Sequence, residues 1–112
     1  MSYNKPRTMT QTIANGGTTS DMVPLLDGVM VGIQMPDTIT STTMTFKVSG
    51  TPAGDYEDLY DSEGNLVSVT VAANRSYTLT TAEADAIAPW PFAKLVLDQA
   101  EGAERSLVVV KK

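Results

Sequence analysis

Short runs of alternating polar and apolar residues, each ended by a turn-forming residue, are the feature that most constrains the fold of this chain. The clearest run covers residues 42–49, where Met44, Phe46 and Val48 are expected to face a core and the residues between them to face solvent. Such a period of two is typical of antiparallel strands with one buried face. We therefore predict an all-β protein, an antiparallel β-sandwich or jelly roll of about eight strands.

The same pattern and its turn signals place the other strands. In the run at residues 29–35, Val29, Val31, Ile33 and Met35 are expected to share the core face. Residues 18–25 are expected to return as the partner strand of residues 8–14 after a turn at residues 15–17. The remaining strands are predicted at residues 56–61, 66–72, 76–79, 93–98 and 105–111.

One segment departs from the strand pattern and predicts a short helix. Thr80 is followed three residues later by Glu83, which is the spacing of a capping box. The alanine-rich run that follows is ended by Pro89. With 112 residues and no low-complexity linker, the chain is expected to form one domain.

The first residues differ in composition from the rest. Residues 1–24 are polar, rich in Thr and poor in core residues, which predicts an extended N-terminal arm on a β-sandwich domain of residues 25–112. Such an arm adds a strand to a neighbouring chain in some proteins and is a frayed tail in others. Its candidate partner-binding residues are Tyr3, Lys5, Arg7 and Met9.

The peptide at residues 89–92, Pro-Trp-Pro-Phe, supplies the last candidate, Trp90. On one interpretation Trp90 is an exposed anchor that contacts a partner or stacks on a sugar. On the other, Trp90 and Phe92 fill the core where the chain re-enters the sheet. A large aromatic beside an abrupt turn is usually mostly buried, so the pattern favours the core position.

The chain contains no Cys and no His. These absences exclude thiolate nucleophiles, Ser-His and Cys-His dyads, and zinc sites of Cys and His. An acidic cluster at residues 55–63 could in principle hold Ca²⁺, but it lacks the register of a calcium loop, and a solvated hairpin is the favoured interpretation. We therefore expect a protein that is not an enzyme and that uses no cofactor or metal.

Charge and hydropathy exclude two further classes of partner. The net charge of −5 opposes sequence-independent binding to nucleic acid and attraction to an anionic membrane. No apolar run is long enough to span a bilayer, and the first residues lack the apolar centre of a signal peptide. Synthesis and use without secretory export are expected.

From residue 31 to residue 111 the chain resembles small structural proteins encoded beside the structural genes of tailed bacteriophages. The segments that carry this resemblance are residues 31–36 (VGIQMP), 44–49 (MTFKVS), 58–61 (DLYD) with Gly64, 92–95 (FAKL) and 105–110 (RSLVVV). Their order and spacing carry it, since no single segment is specific. The layout is also similar to that of discoidin-like jelly rolls.

The resemblance implies a virion structural protein that is made in the host cytoplasm. Its commonest form would be a capsid decoration, or cement, protein that binds the outside of the major capsid shell as a homo-oligomer, with a trimer as one arrangement. A carbohydrate-binding module on a virion surface is an alternative, which requires Trp90, Tyr56 or Tyr60 to be exposed beside polar groups. A component of the phage tail or of the head–tail connector is another.

Overall fold

Alternation and turn signals along the chain produce two antiparallel sheets in a computed structural model that describes residues 7–112. Within these residues there are nine strands and one helix. In chain order they are β1 (Arg7–Ile13), β2 (Val23–Pro24), β3 (Met30–Gln34), β4 (Thr43–Ser49), β5 (Glu57–Asp58), β6 (Ser68–Thr70), β7 (Ser76–Thr78), α1 (Thr81–Ile87), β8 (Phe92–Leu97) and β9 (Arg105–Lys111).

The order of the strands confirms the predicted jelly roll. The first sheet has the order β1-β9-β3-β7, and the second has the order β2-β8-β4-β5. The short strands β5 and β6 both pair with β4, which is paired with β8 along its other edge. Apart from β4 to β6, which stay together, successive strands alternate between the two sheets. This alternation is the connectivity of a double-sheet jelly roll.

The core lies between the two sheets, as the alternation in β4 predicts. Met44 and Phe46 are fully buried and Val48 is 5% exposed. Leu107 and Val109 of β9 are fully buried in the same hydrophobic cluster. Each such side chain contributes about 1.5–3 kcal/mol by its removal from water.

The prediction of which residues around β3 face the core is wrong for Val29 and Val31, the first two of the four. Met30 is fully buried, whereas Val29 and Val31 are only partly buried. The pairing of β3 with β9 shifts register between Met30 and Gly32, so a β-bulge adds one residue to the strand. An extra residue reverses the alternation that precedes it, which is why Ile33 is buried as predicted and Val31 is not.

The predicted division separates an arm of residues 1–24 from a domain of residues 25–112, and the described residues of that arm contribute strands to both sheets. All seven residues of β1 pair in register with β9, so residues 7–13 of the predicted arm belong to the first sheet. Residues 18–25 do not form the predicted strand pair with β1, although the Asp21 N–H donates to the Thr12 carbonyl oxygen at 3.3 Å. Instead, Thr19 bridges to Val96, and Val23 pairs with Ala93 in the second sheet. Two inward-facing residues, Ile13 and Val23, are fully buried, and this burial holds the segment against the core.

The predicted helix and its cap are confirmed. The Glu83 N–H donates to Thr80 Oγ1 at 3.1 Å, and the Thr80 N–H donates to Glu83 Oε1 at 2.9 Å, which together form the capping box. Ile87 is the residue of α1 that is buried, and it anchors the helix to the core. No helix within residues 7–112 is long and apolar enough to cross a membrane.

A buried carboxylate joins two loops at one end of the sandwich. Glu101 is 1% exposed and accepts hydrogen bonds from the Thr40 N–H at 2.9 Å, from the Ser41 N–H at 3.0 Å and hydroxyl at 2.9 Å, and from Arg105 Nε at 2.8 Å. Burial alone would raise its pKa, but these hydrogen bonds outweigh it and lower the pKa of Glu101 to about 2. The ionised carboxylate therefore stabilises the fold.

We expect Glu101→Gln to lower the free energy of unfolding by about 2–3 kcal/mol, because it weakens several charge-assisted hydrogen bonds and leaves the Arg105 guanidinium without its carboxylate. The matched control is Glu104→Gln, an exposed acid in the same loop, which should change it by less than about 0.5 kcal/mol. Urea denaturation at neutral pH measures both. Equal effects of the two substitutions would contradict the structural role of Glu101.

Acid should reduce stability through the same group. Because the pKa of Glu101 is lower in the folded chain, at about 2, than its ordinary value of 4.5, its contribution is complete above 4.5 and is lost as the pH falls toward 2. The loss should approach roughly 3 kcal/mol. Urea titrations from about pH 7 to about pH 2.5 measure the free energy of unfolding of the original chain and of Glu101→Gln. The difference between the two free energies should become smaller as the pH falls. A difference independent of pH would be inconsistent with this pKa.

Candidate partner-binding surface

Trp90 lies at the surface between α1 and β8. Trp90 is 38% exposed, and its backbone N–H donates to the Ile87 carbonyl oxygen at 3.0 Å, which continues the turn of the helix. In β8, Ala93 faces the core and Phe92 faces outward, so Trp90, two residues before Phe92, takes the outward phase. The expectation that Trp90 and Phe92 fill the core is therefore wrong: Phe92 is half-buried and Trp90 is exposed.

The turn at residues 25–28, which we call the end turn, places a second apolar side chain beside Trp90. The Leu25 N–H donates to the Pro91 carbonyl oxygen at 2.8 Å, one residue beyond the pairing of Pro24 with Phe92. This hydrogen bond joins the segment that continues into Leu26 to the segment that carries Trp90. Leu26 is 75% exposed, so the turn presents it to solvent.

Charged groups hold the end turn in place. Lys111, whose side chain is 6% exposed, donates from Nζ to Asp27 Oδ1 and to the Pro24 carbonyl oxygen, each at 2.9 Å. Arg7 donates to the Asp27 carbonyl oxygen, and its guanidinium lies 3.6 Å from Asp27 Oδ2. The hydrogen bond from Lys111 is the main cause of a lowered pKa at Asp27, and Arg7 adds to it. Leu26 therefore lies on a turn that ion pairs and hydrogen bonds from Lys111 and Arg7 hold in place.

Tyr60 and Leu66 continue the apolar surface on the other side of Trp90. Tyr60 is 55% exposed and Leu66 is 42% exposed, and the two residues face each other across an isolated bridge of the predicted hairpin. Tyr60 and Trp90 line one groove of about 340 Å³. The carboxylates of Asp55, Glu57 and Asp58 also line this groove.

The exposed large hydrophobic side chains of residues 7–112 thus follow one another around one end of the sandwich. We call this set the apolar end patch, and it consists of Leu26, Trp90, Tyr60 and Leu66. Its members come from three separate segments, which the β2–β8 ladder and the groove bring together. A surface of this kind is typical of contacts with other molecules rather than of solvent-facing structure.

The residues predicted to bind a partner are only partly brought together. Arg7 reaches the margin of the apolar end patch through Asp27, next to Leu26. Met9 is half-buried and packs against the core cluster, so it is not part of the patch. Tyr3 and Lys5 lie outside the described residues.

Sequence reasoning missed Leu26 and Leu66 as surface residues. Leu26 had a local signal, because it directly precedes Asp27-Gly28, a pair typical of turns, and a turn exposes its side chains. No local signal marked Leu66 as exposed, since it begins an alternating run and leucine is a typical core residue.

The acidic hairpin is organised by its own backbone. Asp61 Oδ1 accepts hydrogen bonds from the Glu63 N–H and the Asn65 N–H, both at 2.9 Å, so this carboxylate closes the loop. Among residues 7–112 no three side chains of Asp, Glu, His or Cys are grouped as metal ligands would be.

A wider groove of about 620 Å³ lies on the outer face of the first sheet. Its lining is largely aliphatic and includes Val31, Leu79, Ala84 and Val110. Gly32 also lines it, and a Cβ at this position would approach the Tyr77 carbonyl oxygen to 3.1 Å. This groove contains none of the residues predicted to bind a partner.

Comparison with known proteins adds a likeness of fold. No protein-family model and no curated protein sequence matches the chain. Among solved structures it is similar to the crystal structure of the SPBc2 prophage-derived protein YomS, with a TM-score of 0.55 and 10% sequence identity. The match covers 99% of this chain and 97% of that chain. At this identity the two proteins share their fold, and the likeness assigns no functional residue.

We expect Lys111→Met to loosen the end turn, because it keeps the apolar stem of the side chain and removes the ammonium that binds Asp27 and Pro24. Stability should fall by about 1–3 kcal/mol, and the hydrogen-bonded amides of Leu25 and Val29 should exchange faster with deuterium. Hydrogen exchange followed by NMR measures this.

The matched control is Lys112→Met, the exposed neighbour, which should leave both amides protected and change stability by less than about 0.5 kcal/mol. Equal exchange rates in the two variants would show that Lys111 does not hold the turn.

Proposed function

We propose that this chain is a virion structural protein of a bacteriophage, and more specifically a capsid decoration protein that binds the outside of the major capsid shell. The observation that carries the proposal is the likeness of its fold, over almost the whole of both chains, to a prophage-derived protein. The segments that resemble small phage structural proteins support the same conclusion.

The form of the surface supports a structural role. A small jelly roll offers many copies of one rigid module, and modest contacts summed over a shell give strong attachment. The apolar end patch supplies a contact surface, and Leu26 is carried on a turn anchored by Lys111 and Arg7. In this role the protein acts as a homo-oligomer, for example a trimer, on the surface of the virion.

Carbohydrate binding is a second candidate, which one observation favours. Tyr60 and Trp90 are both exposed and share a groove with carboxylates that can accept hydrogen bonds from sugar hydroxyls. Tyr56 contributes less to this surface, because Lys94 Nζ lies 4.5 Å from the centre of its ring.

A binding assay with capsid shells tests the proposal. Shells assembled from the major capsid protein encoded near this gene are mixed with the purified protein and sedimented. We expect saturable co-sedimentation at a fixed number of copies per capsid subunit, and extra density on the outer surface in cryo-EM maps. Absence of binding to these shells, with attachment to tails or to glycans instead, would contradict the decoration role.

A further inference from the structure

Two properties of the apolar end patch determine what can bind it. Leu26 and Tyr60 are both more than half exposed, and Trp90 lies between them at 38%. Leu26 and Trp90 lie on adjacent chain segments joined by the Leu25–Pro91 hydrogen bond, and Trp90 and Tyr60 share a groove. The patch therefore lies on two hydrogen-bonded segments and the hairpin, and its side chains can bury apolar area against one partner.

The groove side of the patch carries carboxylates, whereas beside Leu26 the carboxylate of Asp27 is paired with Arg7 and Lys111. Asp55, Glu57 and Asp58 line the groove between Tyr60 and Trp90, and the described residues that line it include no Lys or Arg. Asp61 and Glu83 lie beside Leu66 on the far side. Lys47 faces Asp58 across the β4–β5 ladder, so the carboxylates of Asp55 and Glu57 add negative charge to the groove beyond this pair. The faces of the aromatic rings also attract cations.

We propose that the apolar end patch docks a partner protein whose contact surface is apolar at its centre and bordered by Lys or Arg side chains. The patch supplies apolar area for the centre of the contact, and Asp55, Glu57 and Asp58 supply the complementary rim. A second copy of this chain is a poor occupant, because pairing two such patches would bring like charges together.

This inference deepens the proposed function, on which it rests for the identity of the partner as the capsid shell. It assigns the contact to the end of the sandwich where the end turn meets β8. The open edge of β1 and the wider groove on the first sheet are then left outside the contact. The chemistry of the patch can be tested without the shell.

Trp90 makes that test direct, because it is the only tryptophan in the chain and its fluorescence reports on the patch alone. The probe is a hexapeptide of alternating Lys and Leu, with blocked ends and no aromatic residue. The control probe replaces each Lys with Glu. We expect the Lys peptide to shift the Trp90 emission to shorter wavelength in a saturable and salt-sensitive manner, and the Glu peptide to have no effect.

Neutralising the rim should weaken this binding. In the variant Asp55→Asn/Glu57→Gln/Asp58→Asn we expect affinity for the Lys peptide to fall roughly tenfold, because each exposed ion pair contributes a few-fold. The matched control is Glu104→Gln, an acid at the other end of the sandwich, which should bind as the original chain does. Equal responses to the two peptides, or unchanged affinity in the triple variant, would overturn the proposal. So would tighter binding of a glucose or N-acetylglucosamine oligosaccharide at Trp90.

A second arm separates this inference from the proposed function. Capsid shells are titrated with the original chain and with Leu26→Ser/Tyr60→Ser, whose exposed positions leave the core intact; thermal denaturation checks its folding. We expect at least a tenfold loss of shell affinity in the variant. If both proteins bind equally, the docking surface is wrong and the decoration role stands. If neither binds, the decoration role is wrong, and the peptide titration alone decides whether the patch takes a basic, apolar partner.

Discussion

The pairing of β9 with both β1 and β3 is the constraint on which the rest of the structure depends. The strand supplies Leu107 and Val109 to the core, and a charged residue at each end fixes a different loop. Arg105 binds the buried Glu101 at one end, and Lys111 binds Asp27 at the other. Because buried charges are costly unless they are paired, each contact holds its loop in one arrangement. The single strand β9 thus holds a loop in place at each end of the sandwich.

Much of the fold could be predicted because its determinants are local. The alternation of β4 and the capping box of α1 are each contained in a few consecutive residues, and both are confirmed. The bulge in β3 could not be predicted, since it arises from the register with β9 and leaves no mark in the composition. The membership of β1 in the first sheet was not predicted for a similar reason. The inward-facing residues of β1 include Met9 and Gln11, and a glutamine is usually at the surface, whereas Gln11 is only 1% exposed.

The candidate surface was predictable only in part. Trp90 was recognised as distinctive, but its exposure follows from the phase of β8 and from the place where α1 ends, which are properties of the assembled sheet. The other residues of the apolar end patch come from segments that are distant in the sequence. Leu26 follows β2, which pairs with β8 next to Trp90, and Tyr60 lines the same groove as Trp90. Spacing along a chain cannot report such contacts. The resulting surface is apolar with carboxylates along its groove, which suits the attachment role that we propose.

The most direct test of attachment through this surface is hydrogen–deuterium exchange, measured by mass spectrometry on the protein alone and on the protein bound to capsid shells. Exchange is slowed where backbone amides are covered or their opening is suppressed. We predict slower exchange on the shell in three segments, residues 24–28, 55–66 and 88–92, with the loop at residues 99–104 unchanged at the opposite end. Slower exchange only in β1 or in the loop at residues 99–104, with unchanged exchange in these three segments, would contradict attachment through the apolar end patch.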